Sequence, residues 1–381
     1  MEKTQSHSML SRRDFLKLVA AGGVAVAGGY VLSEYSPWLN YDQLSNQTWR
    51  PVEKDLTMSA QMKEMVRYAT LAANGHNTQP WRFAIKESAI EIHPDYARRL
   101  PVVDPGDREL WISLGCALEN LLIAARAGGF ATQVTYPDAA QDAAPEAADF
   151  IHVRLTTDTR QSSPLFDAIP LRQNTRSEYD GQFPKSTDLE QVQALPLEPG
   201  VALRFATTKP DLETMLEYVN QGNLSQYADK AFIEELIYWL RFNKKEALTS
   251  LDGLYSRCSG NPEVPRWLGQ IFVAGTKPQQ QADADAKKLR SSPAAVVIAS
   301  ESDTKSAWVR AGQVYERLAL KMTSLNIKSA FLNQPIEIAK IRSQFQSALG
   351  LGANLPQLLM RFGYADAMPR SLRRPVEAVL V

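Results

Sequence analysis

A chain of 381 residues with 42 basic and 42 acidic side chains has no net charge to draw it to a nucleic acid. Its two cysteines, Cys116 and Cys258, cannot frame a disulfide scaffold, and His7, His76, His93 and His152 are too scattered to read as a metal centre. No Gly-x-Ser-x-Gly elbow, Walker loop or Cys-x-x-Cys pair occurs, which sets aside the commonest hydrolytic, phosphoryl-transfer and thiol-redox chemistries.

Ser11-Arg12-Arg13-Asp14-Phe15-Leu16-Lys17, followed by the uncharged run Leu18 to Leu32, reads as a twin-arginine export signal over residues 1–35. The run is Gly/Ala-rich and shorter than the about 20 apolar residues of a permanent span. It predicts passage through the twin-arginine machinery to the periplasm, with cleavage or transient membrane insertion; an uncleaved anchor facing the periplasm is the other reading. The remaining roughly 345 residues exceed one ordinary core, so one large domain or two fused halves is expected.

Met58, Met62, Met65, Val66, Ala69 and Ala72 recur at helical spacing. The polar stretch Asn74-Gly75-His76-Asn77-Thr78-Gln79-Pro80 follows, and then Phe83, Ile85, Ile90 and Ile92 alternate across Lys86-Glu87-Ser88 as a hairpin. Two amides, a hydroxyl and an imidazole between a helix and a strand offer donors and acceptors to a planar polar ligand, although the same residues also make plain turns. An apolar helix runs from Trp111 to Phe130, with Cys116 as a small core residue. Ala139 to Ala148 reads as a surface loop. Strands are expected at Ile151 to Leu155, Val201 to Thr207 and Ala294 to Ser300. Between the first two lies the basic segment Leu171 to Tyr179, and Thr187-Asp188-Leu189-Glu190 reads as a capping box that opens a helix. From about 220 to 281 an aromatic-rich helical pattern, including Trp239, gives way to an irregular stretch, a candidate lid whose residues to test are Trp239, Arg241 and Trp267. Aromatic stripes at helical spacing also simply pack inward.

An internal repeat is visible without any outside comparison. Trp111 and Trp308, Gly115 and Gly312, Glu119 and Glu316, and Leu121 and Leu318 all fall at one constant offset, and both segments continue as long apolar helices. The halves are drawn at 55–165 and 166–381.

The string His76-Asn77-Thr78-Gln79-Pro80-Trp81-Arg82-Phe83 resembles the flavin-contacting loop of the nitroreductase superfamily, and the closest branch is the Acg-like group, in which two nitroreductase halves are fused. Ala73-Asn74 stands where the broader family often has Pro-Ser. Arg172-Gln173-Asn174-Thr175-Arg176 resembles the family's Arg-Arg-Ser-x-Arg grip on FMN, with Asn174 in place of Ser. Phe362-Gly363-Tyr364 resembles its Leu-Gly-Tyr strand, and Arg370-Ser371-Leu372-Arg373-Arg374-Pro375 its closing basic run. The resemblance implies an α+β fold, a mixed and mainly antiparallel sheet flanked by helices and duplicated in one chain, as a pseudo-dimeric monomer. It implies FMN, with Asn77 and Gln79 toward the ring or ribityl chain and Arg172, Asn174, Arg176, Arg373 and Arg374 at the tail and phosphate, where guanidinium groups can bond two oxygens at once. Arg370 ranks third in the closing run. No acid/base dyad is required, since the flavin carries the chemistry. The function implied is an exported FMN-dependent oxidoreductase passing hydride to a small electron acceptor, a nitroaromatic or quinone-like compound. Because reduced nicotinamides are not expected outside the cytoplasm, the alternative is a protein that binds or sequesters FMN beneath a closed lid.

Overall fold

A computed structural model describes residues 40–51, 57–138 and 149–381. The export signal and the loop from Ala139 to Ala148 lie outside the described residues. Two four-stranded antiparallel sheets organise the chain. In the first, β1 (Trp81–Ile85), β2 (Ala89–Pro94), β3 (Phe130–Thr135) and β4 (Ile151–Thr157) stand in the order β1-β2-β4-β3. In the second, β5 (Val201–Ala206), β8 (Ala294–Ser300), β9 (Lys328–Phe331) and β10 (Leu355–Gly363) stand as β5-β8-β10-β9. These are one topology written twice. A short pair of two-residue strands, β6 (Leu240–Arg241) and β7 (Leu254–Tyr255), forms a third, parallel sheet.

The helices follow the same repeat. α1 (Tyr41–Thr48) precedes α2 (Met58–Thr70), which leads to β1; the long α3 (Arg108–Gly128) joins β2 to β3. After the short α4 (Pro164–Ala168), α5 (Ser186–Gln193) leads to β5. Where β1 and β2 are joined by three residues, the connection from β5 to β8 carries α6 (Lys209–Ala228), α7 (Lys230–Trp239), α8 (Lys244–Ser250), α9 (Arg266–Ala274) and α10 (Pro278–Arg290). The segment from about 220 to 281 is therefore largely structured. α11 (Lys305–Ser324) joins β8 to β9, as α3 joins β2 to β3, and α12 (Gln334–Glu337) and α13 (Ala339–Ala348) lead to β10. α5 begins one residue before Thr187, after Lys185 and without a side-chain cap, so the expected capping box does not form.

Sequence pattern explains how each sheet is covered. Along β4, Ile151, Val153 and Leu155 are buried while Arg154, Thr156 and Thr157 are exposed, the period of a half-buried strand. Ile85 pairs with Ile90, Ile90 with Val153 and Val153 with Val134, one apolar row across the first sheet. β8 is buried at all seven positions, and its run Ala-Ala-Val-Val-Ile-Ala-Ser has no polar face because both faces are packed. Val296 and Ile298 join the principal core with α3 and α11, while Ala295 and Val297 meet Met215 and Val219 of α6 and Phe345 of α13.

The principal core runs through both sheets, with α3 and α11 packed together at its centre. Their crossing is reciprocal: a Cβ on Gly115 would fall 2.0 Å from the Val309 carbonyl oxygen, and one on Gly312 would fall 2.1 Å from the Ile112 carbonyl oxygen. Ile112 and Val309 stand at the same offset as Gly115 and Gly312, so the contact has the form of an isologous interface built inside one chain.

Candidate cofactor site

The segment from Asn74 to Gln79 bends sharply. His76, Asn77 and Gln79 take left-handed backbone angles, with φ of 48°, 54° and 53°. Each such residue costs on the order of 1–3 kcal/mol and persists only where its surroundings fix it. Here Asn74 Oδ1 accepts from the Gln79 amide at 2.9 Å, and the Gly75 amide donates to Ser113 Oγ at 3.3 Å. Asn77 Nδ2 donates to the carbonyls of Gly253 and Leu372, and its Oδ1 accepts from Arg373 at 2.8 Å. Gln79 Nε2 donates to Leu251, and its Oε1 accepts from the Arg374 amide.

Two adjoining cavities open beside this loop. The larger, of about 240 Å³, is lined by Asn74, Gly75 and His76, by Glu109, Ile112, Ser113 and Cys116 of α3, by Tyr227, Phe232 and Leu236, and by Ala330 to Gln334 with Glu337. The smaller, of about 70 Å³, is lined by Asn77, Arg172, Asn174, Arg176, Arg370, Ser371 and Arg373, with Cys258 and Ser259. Ala73, Asn74, Asn174, Arg176 and Leu254 line both, so the two form one bent site. Together they reach the lower end of the roughly 300–1,000 Å³ of small-ligand pockets.

The ends differ in chemistry. Four arginines and no carboxylate line the small cavity, whereas Glu109, Asp285 and Glu337 line the large one. Burial lowers the proton affinity of the Arg176 and Arg370 guanidinium groups, and burial followed by the nearby Arg172 charge does the same to Arg373. Four cations with Glu316 as the nearby counter-charge to Arg172 leave net positive charge that a bound anion would relieve. Burial and then Arg176 push the His76 imidazole down to about 4, so it stands neutral at pH 7 on the wall of the large cavity.

The sequence-predicted residues divide. Asn77, Arg172, Asn174, Arg176 and Arg373 converge on the small cavity. Arg172 is held 2.9 Å from Glu316 Oε1 and donates to the Leu71 carbonyl, to which Arg373 also reaches at 3.4 Å. Arg373 further bonds the carbonyls of Thr70 and Ala72, closing the C-terminal end of α2. Asn174 accepts from the Tyr315 hydroxyl, and Arg176 reaches Ser259 Oγ at 3.2 Å. Gln79 lines neither cavity. Arg374 turns the other way, to the carbonyls of Gln79 and Trp81, and it is Arg370 that lines the pocket in its place.

None of Trp239, Arg241 and Trp267 lines either cavity. Trp239 is buried with Leu100, Val103 and Phe232; Arg241 is ion-paired with Asp252 at 2.6 Å; Trp267 is exposed on α9. Phe232 and Leu236, one helical turn apart on α7, line the large cavity from this segment, with Gln226 and Tyr227 of α6, Leu254 of β7 and Gln281 of α10. Sequence reading passed over Arg361, a lone charge in the apolar strand β10, which is 1% exposed and lines the large cavity. A single arginine inside a buried strand is the signal that could have found it.

Among the described residues, the corresponding positions on α11 are occupied differently. Ser113 and Cys116 face the cavity from α3, and their counterparts on α11 are Arg310 and Gln313. The Arg310 guanidinium lies 4.8 Å from the centre of the Tyr136 ring, and Gln313 bonds the Tyr136 hydroxyl and Glu119. Large polar side chains fill the equivalent space.

No family model matches the chain. It is similar to a Mycobacterium tuberculosis protein named "Putative NAD(P)H nitroreductase acg", 24% identical over 327 residues that cover 84% of this chain and 94% of that one. A second protein of that organism, likewise named as an NAD(P)H nitroreductase, is 26% identical over 326 residues, covering 84% and 90%. Among solved structures, a Bacteroides fragilis nitroreductase with bound FMN is 16% identical with a TM-score of 0.34, covering 56% of this chain and 96% of its own. The chain is a relative of the Acg-like nitroreductases.

Proposed function

We infer that the protein is an FMN-dependent oxidoreductase of nitroreductase type, holding one FMN per chain. The observation that carries this is the pairing of an arginine pocket free of carboxylates with a larger polar and aromatic cavity. The donor set fits an aromatic phosphate ester: Arg172, Arg176, Arg370 and Arg373 would hold the phosphate, Asn174 the tail, and the loop at Asn74 to His76 the ring. When bound, FMN supplies hydride chemistry at its ring system. The chain's part is to fix that ring between the loop and α3 and to shape what enters beside Tyr227, Phe232 and Leu236. The names carried by the Mycobacterium tuberculosis relatives support the same class of activity. A small planar acceptor, quinone-like or nitroaromatic, suits the aromatic wall, and the paired arginines near the N-terminus support an exported, periplasmic enzyme.

One observation favours the sequestering alternative. The turn that brings Leu254 over both cavities is latched by Asp252 with Arg98 and Arg241, by Gln79 on Leu251 and by Asn77 on Gly253. Purified protein separates the readings. A yellow sample bleached by NADPH and reoxidised by a quinone or nitro compound supports catalysis. A yellow sample reducible by dithionite but inert to nicotinamides supports sequestration or another donor, and a protein that neither retains nor takes up FMN ends both. In the same assay Arg176→Ala should weaken FMN retention by the 1.5–3 kcal/mol of a charge-assisted bond, about tenfold or more. Unchanged occupancy would remove Arg176 from the site.

A further inference from the structure

Glu109 and Glu337 meet across the large cavity from opposite halves of the chain. Glu109 sits in the first turn of α3, is 8% exposed, and places Oε2 beneath the loop at Gly75, 3.7 Å from where a Cβ on that glycine would stand. Glu337 closes α12, within side-chain hydrogen-bond reach of Glu109, and accepts from Gln226 on α6. Both carboxyls line the cavity.

The charges around them come from every neighbouring element. Asp104, before α3, adds negative charge; Arg108 lies 3.3 Å from Glu109 Oε1 but spends its other nitrogen on Gln357; Asp285 and Lys288 of α10 line the same cavity and pair with each other at 3.0 Å. Arg176 and Arg361 line the cavity as well, and at the pair itself one arginine, Arg108, acts on three carboxyls, Asp104, Glu109 and Glu337. Burial, and then the opposing carboxylate, raises Glu109 well above the ordinary range, and burial raises Glu337 as well. Two carboxyls in contact in a poorly solvated wall cannot both ionise, and one proton shared between them resolves the conflict. The N-terminal end of α3 supports the single negative charge that remains.

The cavity bears an independent mark of a ligand. Arg361, 1% exposed, lines it with a buried Nε that has no hydrogen-bond partner, and Gln334 lines it with a buried Oε1 in the same condition.

We propose that Glu109 and Glu337 hold one proton between them and deliver it to an oxygen of the bound acceptor as hydride reaches that acceptor from the reduced flavin. The proposal rests on the FMN reading above and names its substrate class, a neutral planar acceptor with a carbonyl oxygen such as a quinone. One hydride and one proton would convert the quinone to the hydroquinone, the electron pair coming from the reduced flavin when bound, and solvent would return a proton to the carboxyl pair as it gives up its own, so that the pair keeps a single negative charge. The step needs a carboxyl whose O–H first donates to the carbonyl oxygen, which the shared proton provides.

The pair can be read without flavin. Infrared difference spectra at pH 7 of the wild type against Glu109→Gln and against Glu337→Gln should each show loss or shift of the same protonated-carboxyl band, because either substitution removes a carboxyl that shares the proton. In protein loaded with FMN, each variant should retain the flavin absorbance yet lower kcat for quinone reduction by about a hundredfold or more, with KM little changed. The wild-type kcat should fall as pH rises through ionisation of the pair, and that limb should be missing from the variants. Spectra in which neither substitution alters a protonated-carboxyl band, or a kcat that neither substitution moves, overturn the proposal. Loss of FMN binding in the wild type would instead overturn the cofactor reading, and the infrared result would stand apart from it.

Discussion

Arg172→Met should destabilise the protein by about 3–5 kcal/mol at neutral pH, because it takes from the buried Glu316 its paired cation and leaves it only the Arg373 charge and neutral donors. Glu316 is 0% exposed, and its two close partners are Arg172 at 2.9 Å and the Ala73 amide at 3.2 Å. Burial already raises the Glu316 carboxyl above the ordinary range although Arg172 faces it, and removing the cation raises it further. The sign of the pH dependence follows. A carboxyl with a higher pKa folded than unfolded binds more protons in the folded state, so stability falls as pH rises from the unfolded value of about 4.5 through the folded one. The variant should therefore recover stability as the medium is acidified toward that value, until general acid unfolding intervenes. Urea unfolding at pH 5.5 and 7.5 checks this: a variant within about 1 kcal/mol of the wild type at both would mean that Arg172 is held only for a ligand. Arg172→Met together with Glu316→Gln should restore much of the loss while leaving FMN retention impaired, which separates the two duties of Arg172.

That double duty marks where sequence reading stopped. The elements with unmixed periodicity were legible: α2 buries Met62, Met65, Val66 and Ala69, with Ala72 buried just beyond its end, β8 is the unbroken apolar strand expected, and the four repeated positions lie on two helices that do pack together. Arg172, Asn174 and Arg176 were legible as a group, and the structure shows why. The segment runs past β9, where Asn174 forms a single bridge with Ser329, and Arg172, Gln173, Asn174 and Arg176 all line the small cavity. Asn77 and Gln79 were legible as polar residues at a bend, but not as braces. Which way an amide points depends on Gly253, Leu251 and Leu372, more than 170 residues away in sequence. The aromatic stripe of α7 told that one face is apolar without telling which aromatic meets the cavity; Phe232 does, and Trp239 packs beneath it. The Glu109 and Glu337 pair had no sequence signal at all, since nothing in a single chain's spacing couples the first turn of one half's helix to the end of α12 in the other.

Gly312→Ala should cost about 3 kcal/mol or more, at the upper end of what overpacking does, because the obstacle is backbone and cannot change rotamer. The added methyl would lie 2.1 Å from the Ile112 carbonyl oxygen and 3.0 Å from Gly115 Cα, where nothing shorter than a helix displacement makes room. Gly115→Ala meets the Val309 carbonyl oxygen at 2.0 Å and should cost as much. Since each forces the same separation of α3 and α11, the double substitution should cost clearly less than the two single losses added, a coupling that independent sites do not show. The site should respond as well. α3 carries Glu109, Ser113 and Cys116 to the cavity wall, and α11 carries Tyr315 and Glu316 to Asn174 and Arg172, so parting the helices loosens both ends of the cofactor pocket. Denaturant unfolding of the single and double variants, with flavin occupancy measured on each, tests the chain of cause from a missing Cβ to a held ligand. Single losses below about 1 kcal/mol, or losses that simply add, would mean that the two helices have room to spare and that their close crossing is not what sets the site.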